Sequence, residues 1–202
     1  MIYWNTLEFE NDDRIKRIPF LRYYNVFDVD CVEGIQLKLP ECYVNDPIDA
    51  CEKIVHDMTS KPAIEHGGDE PHYNTREDKI RIPHFENFTA SDEYYATLFH
   101  ELAHSTGHAL RLNREGCTKP SAFGSMAYCK EELVAEIATC FLGGEAGIAS
   151  NTIDNSSAYI QFWLERLTRI LKEDNRAFVH ASALAQKATD FVLNRFEEPV
   201  AH

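Results

Sequence analysis

The segment FHELAHSTGH, residues 99–108, constrains the fold of this 202-residue chain more than any other. It places His100 and His104 four residues apart, with Glu101 directly after the first histidine. On an α-helix, side chains at i and i+4 project from the same side, so both imidazoles can reach one ion. The segment therefore predicts a helix that carries part of a metal site.

The chemistry predicted for this segment is metal-assisted hydrolysis. Zinc takes nitrogen and oxygen ligands in a near-tetrahedral shell, and a catalytic zinc site keeps one position for water. The metal lowers the pKa of that water toward about 7, which makes hydroxide available at neutral pH. The carboxylate of Glu101 can reach the water without binding the metal and can accept its proton. We therefore predict one Zn²⁺ per chain, bound by His100 and His104, with Glu101 as the catalytic residue.

A catalytic zinc site needs a third protein ligand, and two sequence patterns compete for it. In the first, H-E-x-x-H-x-x-G-x-x-H, a glycine turns the chain and a third histidine follows three residues later. Gly107 occupies the glycine position, but the residue three places on is Leu110, and His108 comes two residues too early. We interpret His108 as a polar residue at the helix end, where the helix dipole favours it.

The second pattern places a glutamate on a later helix, and EELVAE at residues 131–136 provides it. Glu132 and Glu136 share a helix face beside an apolar stripe, and a buried acidic pair is unusual without a nearby cation. We assign Glu132 as the third ligand and Glu136 as the acceptor of a histidine N–H that fixes the ring orientation. For both residues, an exposed position at an acidic helix start remains the alternative interpretation. For Glu131 this is the preferred interpretation.

Composition restricts the partners of the chain. The net charge of −13 argues against nucleic-acid binding by this chain, because such binding depends on lysine and arginine neutralising phosphates. The sequence contains no apolar run long enough to predict a transmembrane helix, and its N-terminal segment does not resemble a signal peptide. We therefore expect a cytoplasmic protein without membrane association, whose six cysteines are reduced thiols.

The remaining patterns predict an α+β architecture with a small mixed sheet, an active-site helix and a C-terminal helical bundle. The predicted strands are residues 2–9 and 21–29, separated by a charged hairpin loop at 10–17, a short strand and turn at 63–68, and an edge strand over Ile80 and Ile82. The predicted helices are residues 45–60, 89–108, 129–148, 156–174 and 175–196, with N-caps at Asp46 and at Ser91 or Asp92.

Several blocks of the sequence resemble a known family. The zincin-like C-terminal domain of ArdC-type antirestriction proteins has successive segments similar to HELAHSTGHALRLNREG, FGSMAYCKEELVAEIATCFL, SAYIQFWLERL and ASALAQKATDFVL. This domain also occurs in the polyvalent proteins of plasmids and phages. The segment that joins it to an upstream domain resembles LRYYNVFDVDCVEGI. The resemblance covers most of the chain from about residue 20 onward.

The resemblance implies a zincin fold, with His100 and His104 as metal ligands and Glu101 as the catalytic glutamate. It also implies an upstream domain that binds single-stranded DNA. This chain differs there, because only a hairpin-sized segment, residues 1–38, precedes the zincin-like domain expected at residues 39–202. We interpret that segment as the remnant of an upstream domain, which agrees with a net charge unsuited to DNA binding.

A peptidase of this kind needs a hydrogen-bond donor for the oxyanion that forms during hydrolysis. The candidates are His108, Tyr128, Tyr159 and His180, each of which has an alternative role in packing. The predicted edge strand could pair with an extended peptide substrate.

Three functions follow from these features. The leading hypothesis is a zinc-dependent metallopeptidase of the ArdC-like antirestriction family that acts on a peptide or protein. The alternative is a non-catalytic antirestriction protein that binds a defence protein through a DNA-like acidic surface, with a structural metal. A DNA-associated module is the third possibility.

Overall fold

The computed structural model describes residues 2–11, 14–23, 43–119, 125–149 and 176–195, together with the single residues 151, 168 and 172. The chain divides into two compact units, Met1–Pro40 and Glu41–His202. The helix predicted over residues 156–174 falls almost entirely outside the described residues. The interpretation of residues 1–38 as the remnant of an upstream domain stays a prediction.

The first unit contains an antiparallel hairpin of two long strands, β1 (Ile2–Asn11) and β2 (Arg14–Tyr23), which pair over their full length. The prediction of a loop over residues 10–17 is therefore wrong. Of these residues, only 12 and 13 are outside the two strands, and they lie outside the described residues. Charged residues do not exclude a strand, because side chains of a ribbon alternate between two faces and one of them can face water.

The second unit contains a three-stranded sheet with β3 (Ala63–His66), β4 (His72–Asn74) and β5 (Lys79–Ile82). The strand order is β3–β5–β4. Strand β5 is parallel to β3 and antiparallel to β4, so the sheet is mixed, as predicted.

The strand predicted over Ile80 and Ile82 as an edge is instead the centre of this sheet, and both side chains are fully buried. The prediction treats residues 71–85 as one extended segment. In the structure a turn at residues 75–78 reverses the chain, so β4 precedes β5 and pairs with it. The positions open to a further strand, among the described residues, are therefore the outer edges of β3 and β4.

The helices whose bounds are described in the second unit are α1 (Asp49–Asp57), α2 (Ser91–Ser105), α3 (Glu115–Thr118), α4 (Met126–Ala146) and α5 (Ala177–Val192), with a 3₁₀ turn at Phe85–Asn87. Helices α1, α2, α4 and α5 correspond to four of the five predicted helices. Helix α4 ends at Gly147, whose φ of 79° is the left-handed conformation that glycine adopts readily. Among the described helices, none has the length and apolarity needed to cross a membrane.

The predicted N-caps of α1 and α2 are wrong. Helix α1 begins after Ile48 and α2 after Ala90, and neither cap residue forms a side-chain hydrogen bond to its helix. The Ser91 hydroxyl donates instead to the backbone oxygen of Asp46, at 2.7 Å. The Ser91 side chain therefore forms a tertiary hydrogen bond in place of the local cap that sequence rules predict for it.

Helix α2 is packed between two hydrophobic clusters. One cluster joins Leu98, Phe99 and Leu102 of α2 to α1 and the sheet. The other joins Ala103 of α2 to α4 and α5, and alanines form much of that contact. Small side chains at a helix contact allow the backbones to approach closely. Because α2 is held from both sides, the direction of its histidine-bearing face is fixed.

Arg111, whose side chain is 3% exposed, links the loop after α2 to the helix and to the sheet. Its guanidinium donates to the backbone oxygens of Ser105, at 2.7 Å, and Ser60, at 3.0 Å. It also pairs with Asp78 and donates to the Tyr73 hydroxyl at 3.0 Å. Strand β4 is thereby held in a defined position relative to the end of α2.

The same loop folds back closely on itself at Gly107, just after the end of α2. A Cβ at this residue would lie 2.3 Å from Cys117 Sγ and 2.8 Å from Cys117 Cβ. Real contacts are not this short, so the segment that follows α2 can fold back on the helix only because this residue is a glycine. Gly107 therefore has a packing role, and it is not part of a motif that ends in a third histidine ligand.

We predict that Gly107→Ala lowers the free energy of unfolding by about 1–3 kcal/mol, because the added methyl group overpacks the contact with Cys117. The matched control is Gly144→Ala within α4, where no described atom lies within 4 Å of the added Cβ. That change should raise the free energy of unfolding by roughly 0.5–1 kcal/mol. Urea denaturation measures both values, and similar effects of the two substitutions would contradict this account of Gly107.

Candidate metal centre

Helices α2 and α4 bring five ionisable side chains together. His100 and His104 of α2 face Glu131, Glu132 and Glu136 of α4. The Nε2 atoms of the two histidines are 3.1 Å apart. Glu132 Oε2 lies 3.5 Å from His100 Nε2, and Glu132 Oε1 lies 3.7 Å from His104 Nε2. The two imidazoles and one carboxylate thus converge on one point.

The chemistry of these converging atoms fits a divalent metal ion. One potential ligand atom from each of His100, His104 and Glu132 lies within 4.8 Å of the other two. Two imidazole nitrogens and a carboxylate oxygen are a donor set that zinc and related divalent metals accept. Glu132 is only 6% exposed, and a buried carboxylate is costly unless a cation or hydrogen bonds compensate its charge.

Each histidine also has a carboxylate beside its outer ring nitrogen. Glu136 Oε2 lies 3.3 Å from His100 Nδ1, and Glu131 Oε1 lies 3.5 Å from His104 Nδ1. A carboxylate in this position orients the imidazole and favours the tautomer whose inner nitrogen can bind a metal. Burial lowers the pKa of His100, but hydrogen bonds to Glu132 and Glu136 outweigh burial and raise this pKa to about 10.

The role of Glu136 stays a prediction, and the structure places its carboxylate beside His100. The prediction of an exposed helix start is wrong for Glu131, which is buried. Helix α4 begins at Met126, so Glu131 lies inside the helix instead of in its first turn. Its carboxylate faces α2, with Oε1 at 3.5 Å from His104 Nδ1.

Glu131 and His104 also form a second group of potential donors with Cys117. There Arg114 already supplies a cation, because its Nε lies 3.2 and 3.1 Å from the two Glu131 oxygens and its Nη2 lies 2.5 Å from Oε1. Burial opposes the ionisation of Glu131, but hydrogen bonds from His104 and Arg114 lower its pKa to about 2. Burial and the adjacent Glu131 raise the pKa of the Cys117 thiol, which donates to Glu131 at 2.9 Å. His100, His104 and Glu132 are therefore the candidate set of metal ligands.

A cavity of about 450 Å³ opens onto these inner donors. Glu101 lines it next to the histidines, and His72 and Tyr73 of β4 form another part of its wall. Tyr128 of α4 lines it as well, and burial together with a hydrogen bond to Glu132 raises the pKa of this phenol. A carboxylate able to accept a proton and a phenol able to donate a hydrogen bond therefore face the same space.

The structure separates the three candidate oxyanion donors that lie within the described residues. Tyr128 lines the metal cavity. His108 follows the end of α2, and its Nδ1 accepts a hydrogen bond from the backbone of Leu110. His180 is exposed on α5 and lines a different cavity, and Tyr159 lies outside the described residues.

Sequence reasoning missed the contribution of β4 to the cavity wall, made by His72 and Tyr73. A signal for this strand was present at Asn74, whose side-chain oxygen accepts hydrogen bonds from the backbone N–H groups of Arg76 and Glu77. Asparagine commonly stabilises a turn in this way. A turn placed there would have divided residues 71–85 into two strands.

Comparison with known proteins identifies similar sequences. The family model described as zincin-like metallopeptidase matches residues 49–184, more than half of the chain. The DNA primase TraC of Escherichia coli is 36% identical over 179 residues, which cover 88% of this chain and 16% of the primase. A second TraC from Escherichia coli is 35% identical, and the match covers 12% of its length. The chain thus spans only a small part of these curated relatives.

Two solved structures are also similar. The metal-free crystal structure of the antirestriction protein ArdC from the R388 plasmid is 32% identical, with a TM-score of 0.57 over 98% of this chain and 71% of that protein. Its Mn(II)-bound structure is 32% identical, with a TM-score of 0.59 over 96% of this chain and 68% of that protein. Both comparisons support the predicted zincin-like fold.

We predict that the purified chain binds one divalent metal ion and that His104→Ala loses it. Removal of one of three protein ligands leaves too few donors to hold the ion against exchange. His56→Ala is the matched control, because His56 is an exposed histidine on α1. Elemental analysis after dialysis measures metal per chain. Equal metal content in the two variants would place the ion elsewhere.

Proposed function

Because this chain belongs to the zincin-like metallopeptidase family and resembles the ArdC antirestriction protein over nearly its full length, we propose that it is a metal-dependent peptidase. One observation carries the proposal. The nitrogen and oxygen donors of His100, His104 and Glu132 converge next to Glu101, at a cavity that a strand lines. The combination supports hydrolysis of a bound extended chain.

We propose zinc as the metal, with one ion per chain held by His100, His104 and Glu132. The donor set is the two-histidine, one-glutamate set of catalytic zinc sites. The ArdC structure with Mn(II) supports a divalent ion at such a centre, and nitrogen-containing sites generally bind Zn²⁺ more tightly than Mn²⁺. When bound, the metal would lower the pKa of water and polarise the substrate carbonyl.

The residues of the chain would perform the remaining steps. Glu101 would accept a proton from the attacking water on its carboxylate and pass it to the leaving amine. Tyr128 would donate a hydrogen bond from its phenol to the developing oxyanion. Glu136 would hold His100 through its Nδ1 atom. Walls from α2, α4 and β4 would limit the access of bulk water to these groups.

The shape of the cleft supports a peptide substrate. Strand β4 has β5 on one side, and among the described residues no strand pairs with its other side. A second cavity of about 530 Å³ continues along β4 from the metal cavity, toward Arg76 and Thr118. An extended peptide can add to a free strand edge through main-chain hydrogen bonds, while its side chains occupy the adjoining pockets.

We propose that the peptidase acts in the cytoplasm in antirestriction, on a protein of a defence system. The similarity to ArdC supports this role, since that protein is named for antirestriction. The net charge of −13 argues against nucleic acid as a partner of this chain alone. The same charge favours one second candidate function, in which an acidic surface binds the defence protein without cleavage and the metal is structural.

We predict that Glu101→Gln abolishes hydrolysis, with a loss of at least about 10²-fold, while metal content stays unchanged. Glutamine keeps the size of the side chain but cannot accept the proton. Glu86→Gln, an exposed glutamate in the 3₁₀ turn, is the matched control. Cleavage of a proteome-derived peptide library, read by mass spectrometry, gives the activity.

The same variant separates the two candidate functions. Antirestriction is measured by the survival of unmodified phage DNA in cells that carry a restriction system. If Glu101→Gln retains full protection, cleavage is not required and the binding function is correct. If protection falls together with hydrolysis, the peptidase function is correct.

We also predict that Tyr128→Phe lowers kcat by about 10²–10³-fold with little change in KM, because one oxyanion donor is lost. Metal content should remain at the wild-type value. Tyr94→Phe is the control. Tyr94 belongs to the hydrophobic cluster that joins α2 to α1 and the sheet, and its hydroxyl contacts His66 at 2.8 Å. An unchanged kcat in Tyr128→Phe would remove this residue from the mechanism.

A further inference from the structure

The outer nitrogen of His104 is linked to a buried ion pair that the hydrolytic steps do not use. Glu131 Oε1 lies 3.5 Å from His104 Nδ1, and Arg114 contacts both Glu131 oxygens. Glu131 and Arg114 are 8% and 6% exposed. Taking both charges out of water is costly, so such a pair is weak evidence of stabilisation alone. Its position directly behind a ligand of the candidate centre indicates another role.

Arg114 attaches the Glu131 carboxylate to the end of the histidine-bearing helix. Its Nη2 donates to the backbone oxygen of Ala103 at 2.8 Å, and its Nη1 donates to the Thr106 hydroxyl at 2.5 Å. The planar guanidinium thus contacts α2 and α4 at once. Lysine could not reproduce this set of contacts, because it offers a single ammonium group in place of a planar fork.

Close contacts at two glycines, Gly107 and Gly116, allow Arg114 to occupy this position. A Cβ at Gly107 would lie 3.1 Å from Arg114 Cζ, as well as in collision with Cys117. A Cβ at Gly116 would lie 2.9 Å from Glu131 Cβ. Both glycines flank the arginine in sequence, so the whole segment folds tightly over Glu131.

We propose that Glu131 and Arg114 are positioning residues for His104. Arg114 fixes the Glu131 carboxylate, and Glu131 accepts the Nδ1 hydrogen of His104, which directs the Nε2 lone pair toward the metal. The proposal rests on the metal centre of the proposed function, but it does not depend on the reaction that the centre catalyses. It distinguishes the two histidines, because His104 is anchored through Glu131 and Arg114, and His100 is held by Glu136.

The direct test is the zinc affinity of Glu131→Gln, measured by competition with a chromophoric chelator. We expect the Kd for zinc to rise about 10–100-fold, the effect typical of losing a carboxylate behind a ligand histidine. The visible absorption spectrum of the Co²⁺-substituted protein should also change, since the imidazole orientation alters the metal environment. Glu115→Gln is the matched control, because Glu115 is an exposed neighbour of Arg114 that pairs with Lys119 at 2.8 Å.

Arg114→Lys keeps the proposal testable if Glu131→Gln does not fold, as checked by circular dichroism. It retains the charge but loses the fork, so the zinc Kd should rise by less than in Glu131→Gln. The double variant should bind zinc no more weakly than Glu131→Gln alone, because both residues act through the same imidazole.

The possible results separate this inference from the proposed function. If Glu131→Gln or Arg114→Lys lowers thermal stability but leaves the zinc Kd and the Co²⁺ spectrum unchanged, the pair is structural and the inference is wrong. If the wild-type protein binds no zinc, the metal centre itself is wrong and both proposals fall. If Glu131→Gln binds zinc more weakly than the wild-type protein, but the wild-type protein cleaves no peptide, the inference is upheld and only the peptidase function is rejected.

Discussion

The packing of α4 against α2 requires that three buried carboxylates find compensation for their charge. Glu131, Glu132 and Glu136 are all less than 9% exposed, and each faces an imidazole nitrogen of His100 or His104. Buried carboxylates are stable only when cations or hydrogen bonds replace the lost water. Arg114 provides this for Glu131, and the histidines provide part of it for the other two. The arrangement is therefore best balanced when a divalent cation joins the inner donors, which couples the packing of these helices to the proposed chemistry.

The apolar contacts explain how the chain places these charges so accurately. The sheet-side cluster holds one side of α2 through Leu98 and Phe99, and alanines hold the other side against α4 and α5. Short side chains leave α4 close enough for its carboxylates to reach the histidines. Arg111 then links the end of α2 to Tyr73, so the strand that lines the cavity is attached to the same helix. Metal donors, cavity wall and core thus share one framework.

The parts of this site that follow helical periodicity could be predicted from the sequence. His100 and His104 lie one turn apart, and the spacing of Glu132 and Glu136 predicts the shared face that the structure shows. The burial of Glu131 could not be predicted, because it depends on where α4 begins and on an arginine from a loop. The predicted position of β5 at the edge of the sheet was wrong for a related reason. The pairing of β5 on both sides depends on a reversal at Asn74, whereas alternation of Ile80 and Ile82 describes only one strand.

The residues of the site lie close together in the sequence, and this helps to explain why similar segments occur in proteins of different length. The inner donors, the carboxylates behind the histidines, Glu101 and Arg114 all fall within residues 100–136, inside the segment matched by the family model. Among the described residues, the sheet and helices α1 and α5 support this centre, which is assembled from two helices and the loop between them. Such a unit can occur in chains of very different length. The match to 16% of a TraC primase and 71% of ArdC is what this independence predicts, and it argues that function should be sought in the site itself.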